Sequence, residues 1–276
     1  MITIGKYYDL KVVDESNLGF HLDAENLGEV LLPKNEIQYE LAVGDTVNVL
    51  IYHNSDQNLV ATTQKTSATV GEFAYLPLKI NTEIGAFLDW GLSKDLFVPL
   101  SEQHRPFEDG KSYLVYLYLD KINGRITASS KINKFLDDDS PHNYKPKQEV
   151  NLIIANSTDL GFKAIINHSH WGVLYKNEVF ERISFGDYKT GYIKNIREDG
   201  RIDLSLQLGH EAMSKNAQLI SDYLNENNGF VAVHDKSDPK IIHELFGLSK
   251  NAFKKAVGQL YKNKVIEISN DGIKLL

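Results

Sequence analysis

The chain has no cysteine in its 276 residues. Disulfides, thiolate metal ligands and thiol nucleophiles are therefore excluded, and this usage fits a reducing cytoplasm. No apolar run approaches the roughly 18 residues that a membrane-spanning helix needs, so no membrane partner is expected. Met1 to Lys11 lacks the basic-then-apolar order of a secretion signal. Net positive charge is also missing: 30 Lys+Arg stand against 37 Asp+Glu. No glycine-rich phosphate loop, His-Glu-x-x-His pair or serine elbow occurs. His168 and His170 have no third ligand at useful spacing, and His21 with Asp23 is an ordinary pairing on alternate strand positions. The one dense carboxylate run, Asp137-Asp138-Asp139, falls in a linker, a poor place for a rigid magnesium site. No enzyme activity, cofactor or metal is expected.

The charge that is present is uneven. Residues 1–144 carry 12 Lys+Arg and 21 Asp+Glu, whereas residues 145–276 carry 18 and 16. A polyanion would meet the C-terminal half more readily, because phosphate neutralisation supplies much of the affinity for nucleic acid. Stacking of bases on aromatic rings, however, is insensitive to net charge.

A weak repeat organises the first 209 residues. Its copies begin Leu18-Gly19-Phe20-His21-Leu22, Ile84-Gly85-Ala86-Phe87-Leu88 and Leu160-Gly161-Phe162-Lys163-Ala164. A second glycine follows 25 residues later in each, at Gly44, Gly110 and Gly186. Each copy closes on a similar segment: Asn58 to Thr63, Gly124-Arg125-Ile126-Thr127-Ala128-Ser129 and Gly200-Arg201-Ile202-Asp203-Leu204-Ser205. Between these marks lie Val30-Leu31-Leu32-Pro33, Leu96-Phe97-Val98-Pro99 and Gly172-Val173-Leu174-Tyr175. The runs are short, rich in β-favouring residues and separated by turn signals such as Asn123-Gly124 and Asp199-Gly200. Such units predict small barrels, whose closure removes exposed strand edges.

From about Glu211 the period becomes helical. Ala212, Leu219, Ile220, Tyr223 and Leu224 are predicted to share one face. Asp238-Pro239 starts a second helix carrying Ile241, Ile242, Leu245 and Phe246, and Gly247 stops it. Ser249 caps a third helix with Phe253, Val257, Leu260 and Tyr261 as its apolar face. The end reads strand, Asn270-Asp271-Gly272 turn, strand. Three helices and a terminal hairpin predict a winged helix-turn-helix.

Gly85-Ala86-Phe87-Leu88-Asp89-Trp90-Gly91, then Leu96-Phe97-Val98-Pro99-Leu100-Ser101-Glu102, resembles the S1 RNA-binding domain signature. Asp199-Gly200-Arg201-Ile202-Asp203-Leu204-Ser205 resembles the S1 closing strand more closely still. With the helical end, the whole chain resembles the conserved virulence factor B family of Gram-positive bacteria. The fold implied is mainly β: three tandem five-stranded S1-like barrels of OB type, then an α+β winged helix. The boundaries are 1–66, 67–134, an acidic linker at 135–146, 147–209 and 210–276. The function implied is a cytoplasmic RNA-binding regulator of gene expression.

The resemblance implies that ligand crosses exposed aromatic and basic side chains on one barrel face: Phe20 and His21, Phe87 and Trp90, and Phe162, with His168, His170 and Trp171 nearby. Phe87 alternates with Leu88, so one is core and the other exposed. Trp90 either contacts ligand or covers a barrel end or a domain interface. Tyr116 and Tyr118 share a strand face opposite Val115, Leu117 and Leu119, and form either a stacking surface or a packing one. Lys189, Tyr192 and Lys194 occupy the comparable region of the third repeat. Arg125, Arg197 and Arg201 lie at hairpins, where they donate to phosphate or solvate a turn. Lys250, Lys254 and Lys255 line the third helix, which presents them to a nucleic acid or packs on protein. The expected partner is single-stranded RNA. The alternatives are a protein partner, or DNA held by the winged helix.

Overall fold

The computed structural model describes residues 1–37, 39–136, 142–179, 181–207 and 213–276. The chain forms two compact units, residues 1–137 and 138–276. The aspartate run, Ala212 and the expected boundary near residue 210 lie outside the described residues.

The first unit holds two closed barrels. One comprises β1 (Tyr7–Glu15), β2 (Gly19–Asp23), β3 (Glu29–Pro33), β4 (Thr46–His53) and β5 (Leu59–Thr62). The other comprises β6 (Phe73–Thr82), β7 (Gly85–Leu88), β8 (Leu96–Pro99), β9 (Ser112–Leu119) and β10 (Ile126–Ser129). The second unit opens with a third barrel of the same order: β11 (Glu149–Thr158), β12 (Gly161–Ile166), β13 (His170–Tyr175), β14 (Tyr188–Ile196) and β15 (Ile202–Ser205). In each, strands one to three form an antiparallel meander. The fifth strand pairs in parallel with the third, and the fourth closes against the first and fifth. The first strand of each barrel shifts register at the same place, between Val12 and Asp14, Leu78 and Ile80, and Ile154 and Asn156. Such bulges bend a strand enough to close a small barrel.

The repeat glycines have a steric cause. Gly19, Gly85 and Gly161 have φ of +153°, +155° and +153°. An added Cβ would stand 2.0, 2.5 and 2.0 Å from the carbonyl oxygens of Leu32, Val98 and Leu174 on the facing strand. Only a residue without a side chain permits that approach. Alternation then sorts the neighbours. Leu22, Leu32 and Ile51 fill the first core, and Leu76, Leu88, Leu96 and Leu117 the second. Leu152, Ile154, Ile166 and Leu204 fill the third. The first two barrels also share apolar packing, in which Leu50, Tyr52 and Val60 join Ala68, Trp90 and Leu92.

The remainder is a winged helix: α1 (Lys215–Glu226), β16 (Phe230–Val231), α2 (Pro239–Phe246), α3 (Lys250–Lys262), β17 (Ile266–Ile268) and β18 (Ile273–Leu275). Ser214, Asp238 and Ser249 cap the three helices through their side-chain oxygens, and Gly247 ends α2 in the left-handed conformation. The two-residue strand β16 pairs with β18 and was not predicted from the sequence. Leu219, Ile241, Leu245 and Tyr261, predicted as core, are exposed, while their neighbours Ile220, Ile242, Phe246 and Leu260 are buried. Adjacent helical residues are about 100° apart, so only one of each apolar pair reaches the core. Among the described residues no helix is long and apolar enough to cross a membrane, and no group of three metal-ligating side chains forms.

Candidate nucleic-acid interface

The hairpin register decides which side chains leave the barrel. In the second barrel Ala86 faces Val98, and both are buried. Phe87 faces Phe97 on the outer surface, and both rings are half-buried. Their centroids are 5.1 Å apart at 41°, a tilted pair with open ring area. The pair lines a cleft of about 480 Å³ together with Ile84, Trp90, Pro99 and Arg125. His53 and Ser55 of the first barrel form its other wall. Apolar rings beside a guanidinium make a surface suited to a base and its phosphate.

The same register corrects the motif alignment. Counted from the repeat glycine, Phe20 and Phe162 match Ala86, not Phe87. Phe20 is 7% exposed and belongs to the first core, and Phe162 packs against the third. The outward position of Phe87 is held by His21, opposite Leu31, and by Lys163, opposite Val173. His21 Nδ1 is 3.9 Å from a Glu29 carboxylate oxygen. The first barrel therefore presents no aromatic pair of this kind. In the third, the Lys163 ammonium sits 4.1 Å from the centroid of Trp171. The two line a cavity of about 300 Å³ with Leu160, Tyr175, Arg197 and Arg201. His170 borders it, its Nδ1 2.9 Å from Ser169 Oγ and its ring edge-on to His142 and Tyr144. Arg197 is bound to Asp203 at 2.7 Å and to the Tyr175 hydroxyl, while Arg201 is exposed.

Trp90 is 3% exposed and donates its indole N–H to the Lys94 carbonyl at 2.7 Å. It is a wall of the cleft anchored in the core. Tyr116 and Tyr118 do not join the cleft. The short turn Ile132–Phe135 covers them: Phe135 stacks on Tyr116 at 4.0 Å, and Lys134 lies over Tyr118 and ion-pairs with Glu102. Burial, then Glu102 and Asp120, pushes the Tyr118 phenol up to about 12. Lys189 pairs with Glu181 at 2.7 Å, Lys194 with Glu178 at 2.5 Å, and Tyr192 donates to Glu149. All three lie on β14, away from the β12–β13 face. On α3, Lys250 donates to the Ser237 carbonyl at 3.1 Å, while Lys254 and Lys255 are exposed. Lys255 borders a polar groove with Ser214 and Gln259.

Sequence reasoning missed Phe97, Ile84 and His53. Alternation along Leu96-Phe97-Val98 marks Phe97 as outward. The aliphatic residue before each repeat glycine is exposed in all three copies: Leu18 at 71%, Ile84 at 69% and Leu160 at 73%. A recurring exposed aliphatic at a hairpin tip is a signal the repeat itself contains. Nothing in the sequence brings His53 to the second barrel.

Comparison with known proteins accords with this architecture. The S1 domain family matches residues 4–64, the first repeat, whose aromatic motif is the least regular. The CvfB-like winged helix domain matches residues 218–275. YitL of Bacillus subtilis is 31% identical, over 94% of this chain and 89% of the relative. Conserved virulence factor B of Staphylococcus saprophyticus is 27% identical over 99% and 94%. A solved structure from Streptococcus pneumoniae, described as a multidomain protein with nucleic acid binding domains, is 26% identical, with a TM-score of 0.43 over 99% of this chain and 98% of that one. The chain is thus built of three closed five-stranded barrels of one topology, the first of which matches the S1 domain, followed by a winged helix. It belongs to the conserved virulence factor B family.

Proposed function

We propose that this protein binds single-stranded RNA and through it regulates gene expression after transcription, without catalysing a reaction. The observation that carries this reading is the outward Phe87–Phe97 pair beside Arg125. Unpaired bases expose the faces that such rings need, whereas a duplex keeps them stacked on one another. The β12–β13 face of the third barrel, with Lys163, Trp171 and Arg201, is the second contact. The exposed Lys254 and Lys255 of α3 add a third, electrostatic one. The role is that of a cytoplasmic regulator.

Several weak contacts on one chain raise the effective concentration of each once another is occupied. Affinity should therefore rise steeply with RNA length. A 30-nucleotide unstructured RNA is expected to bind at least about tenfold more tightly than a 6-nucleotide one, after correction for binding registers. Fluorescence anisotropy with end-labelled RNA measures this. Equal corrected affinities would remove the multi-barrel mechanism. If Lys254→Glu with Lys255→Glu abolished binding while changes in the barrels did not, the site would be the winged helix, and DNA would become the ligand to test.

A further inference from the structure

The cleft beside Phe87 is not a property of the second barrel alone. The loop after β4 of the first barrel brings His53 and Ser55 to its rim. The two barrels are locked there by Lys94, whose ammonium donates to the carbonyls of His53 at 2.6 Å and Asn54 at 2.9 Å. Arg125 enters from the hairpin before β10, and Gly124 lies against the His53 ring. Three nitrogen-rich side chains of separate origin thus meet at one end of an aromatic cleft.

Their charge is uncompensated. Among the described residues, no carboxylate forms an ion pair with Arg125 or Lys94. Asp95 lines the cleft but is bound to Lys79 at 2.8 Å. Asp120, at the end of β9, turns one carboxylate oxygen to the backbone N–H groups of Ile122 and Asn123. The Arg125 Nε and the His53 Nδ1 are buried without a hydrogen-bond partner. Burial, and then Arg125, holds the Lys94 ammonium below its usual range. Burial also lowers His53, a backbone hydrogen bond at Gly124 opposes this, and Lys94 and Arg125 lower it further. A partly buried guanidinium and ammonium with no carboxylate partner favour an anion beside them.

We propose that His53, Lys94 and Arg125 form a phosphate-holding corner, built across the two barrels, for the nucleotide whose base lies on Phe87 and Phe97. This rests on the RNA reading above and deepens it. The first barrel, which shows no aromatic pair of its own, acts by completing the site of the second. The division of labour is also specific: rings take the base and the corner takes the phosphodiester.

The two parts have different salt signatures. Each lost phosphate contact lowers the slope of log affinity against log salt by about 0.7 for a single strand. Loss of a stacking ring leaves that slope unchanged. The experiment is anisotropy with an unstructured 12-nucleotide RNA across a salt series, using the full chain and its Arg125→Gln, His53→Gln and Phe87→Ala variants. Circular dichroism confirms that each is folded. Arg125→Gln is expected to weaken binding about tenfold, as loss of a charge-assisted hydrogen bond does, with a reduced slope. Phe87→Ala is expected to weaken binding at unchanged slope. A bound phosphate raises the pKa of His53, so affinity should grow as pH falls below 7, and His53→Gln should flatten that growth. In NMR the His53 imidazole should titrate at higher pH with RNA bound than without. RNA binding that is insensitive to Arg125→Gln and His53→Gln, or an unchanged His53 titration, overturns the corner while leaving RNA binding intact. Absence of RNA binding by the unaltered chain instead overturns the functional reading.

Discussion

Removing both outward rings of the second barrel, by Phe87→Ala with Phe97→Ala, is expected to weaken single-stranded RNA binding by at least about 30-fold. Each stacked base contributes about 1–3 kcal/mol through its ring. Two rings therefore represent about 2–6 kcal/mol, and every 1.4 kcal/mol is a factor of about 10. The loss should be nearly independent of salt, since no charge is removed. Stability should fall little, because both rings are half-buried on the outer surface while Leu88, Leu96 and Val98 keep the core. The comparison is with Phe20→Ala. Phe20 is a core residue, so its truncation should cost about 3–5 kcal/mol of stability. It should leave RNA affinity unchanged at temperatures where the protein is folded. Anisotropy and chemical denaturation of the same preparations separate the two effects. An RNA defect in Phe20→Ala equal to that of the double variant would show that the motif alignment, not the register, identifies the binding position.

The second large effect concerns the repeat itself. Gly161→Ala should destabilise the third barrel by about 2–5 kcal/mol, from backbone strain plus a close contact. The added methyl would stand 2.0 Å from the Leu174 oxygen and 2.9 Å from the Lys176 nitrogen, both backbone atoms that cannot rotate away. Gly110→Ala is the control. Its φ of +74° is also left-handed, but nothing lies within 4 Å of an added Cβ. It should cost only about 1–2 kcal/mol. Urea denaturation followed by circular dichroism measures both. Equal, small losses would mean that the repeat glycines mark turns only, and that close strand approach is not what preserves them.

Most of the architecture was legible because it depends on local rules. Glycine spacing, hairpin turns and capping residues each specify backbone geometry within a few residues. Ser249, Asp238 and Gly247 bound their helices as read. What escaped was small or relational. Strand β16 is two residues long and exists only because β18 is there to pair with it. Leu219 and Ile241 carry an apolar side chain on the wrong side of a helix by about 100°. The site shows the same division. Phe87 was singled out from motif position and Arg125 from its hairpin, and both line the same cleft; Phe97 follows from alternation. Phe20 and Phe162 were misaligned by one residue, which in a strand reverses the face. Tyr116 and Tyr118 share the face expected, but Phe135 covers them from a turn whose return no pattern announces. Lys189 and Lys194 look like phosphate donors until Glu181 and Glu178, 8 and 16 residues away along the chain, are seen to pair with them.

The central claim is that the barrel faces take unpaired bases. The most direct measurement is competition anisotropy at near-physiological salt. A labelled single-stranded RNA is displaced from the full chain by the same sequence as a single strand, as its duplex, and as single-stranded DNA. The account predicts that the single-stranded RNA competes at least about tenfold better than the duplex, since loss of one or more stacking contacts is worth that much. A duplex that competes equally well or better would contradict it.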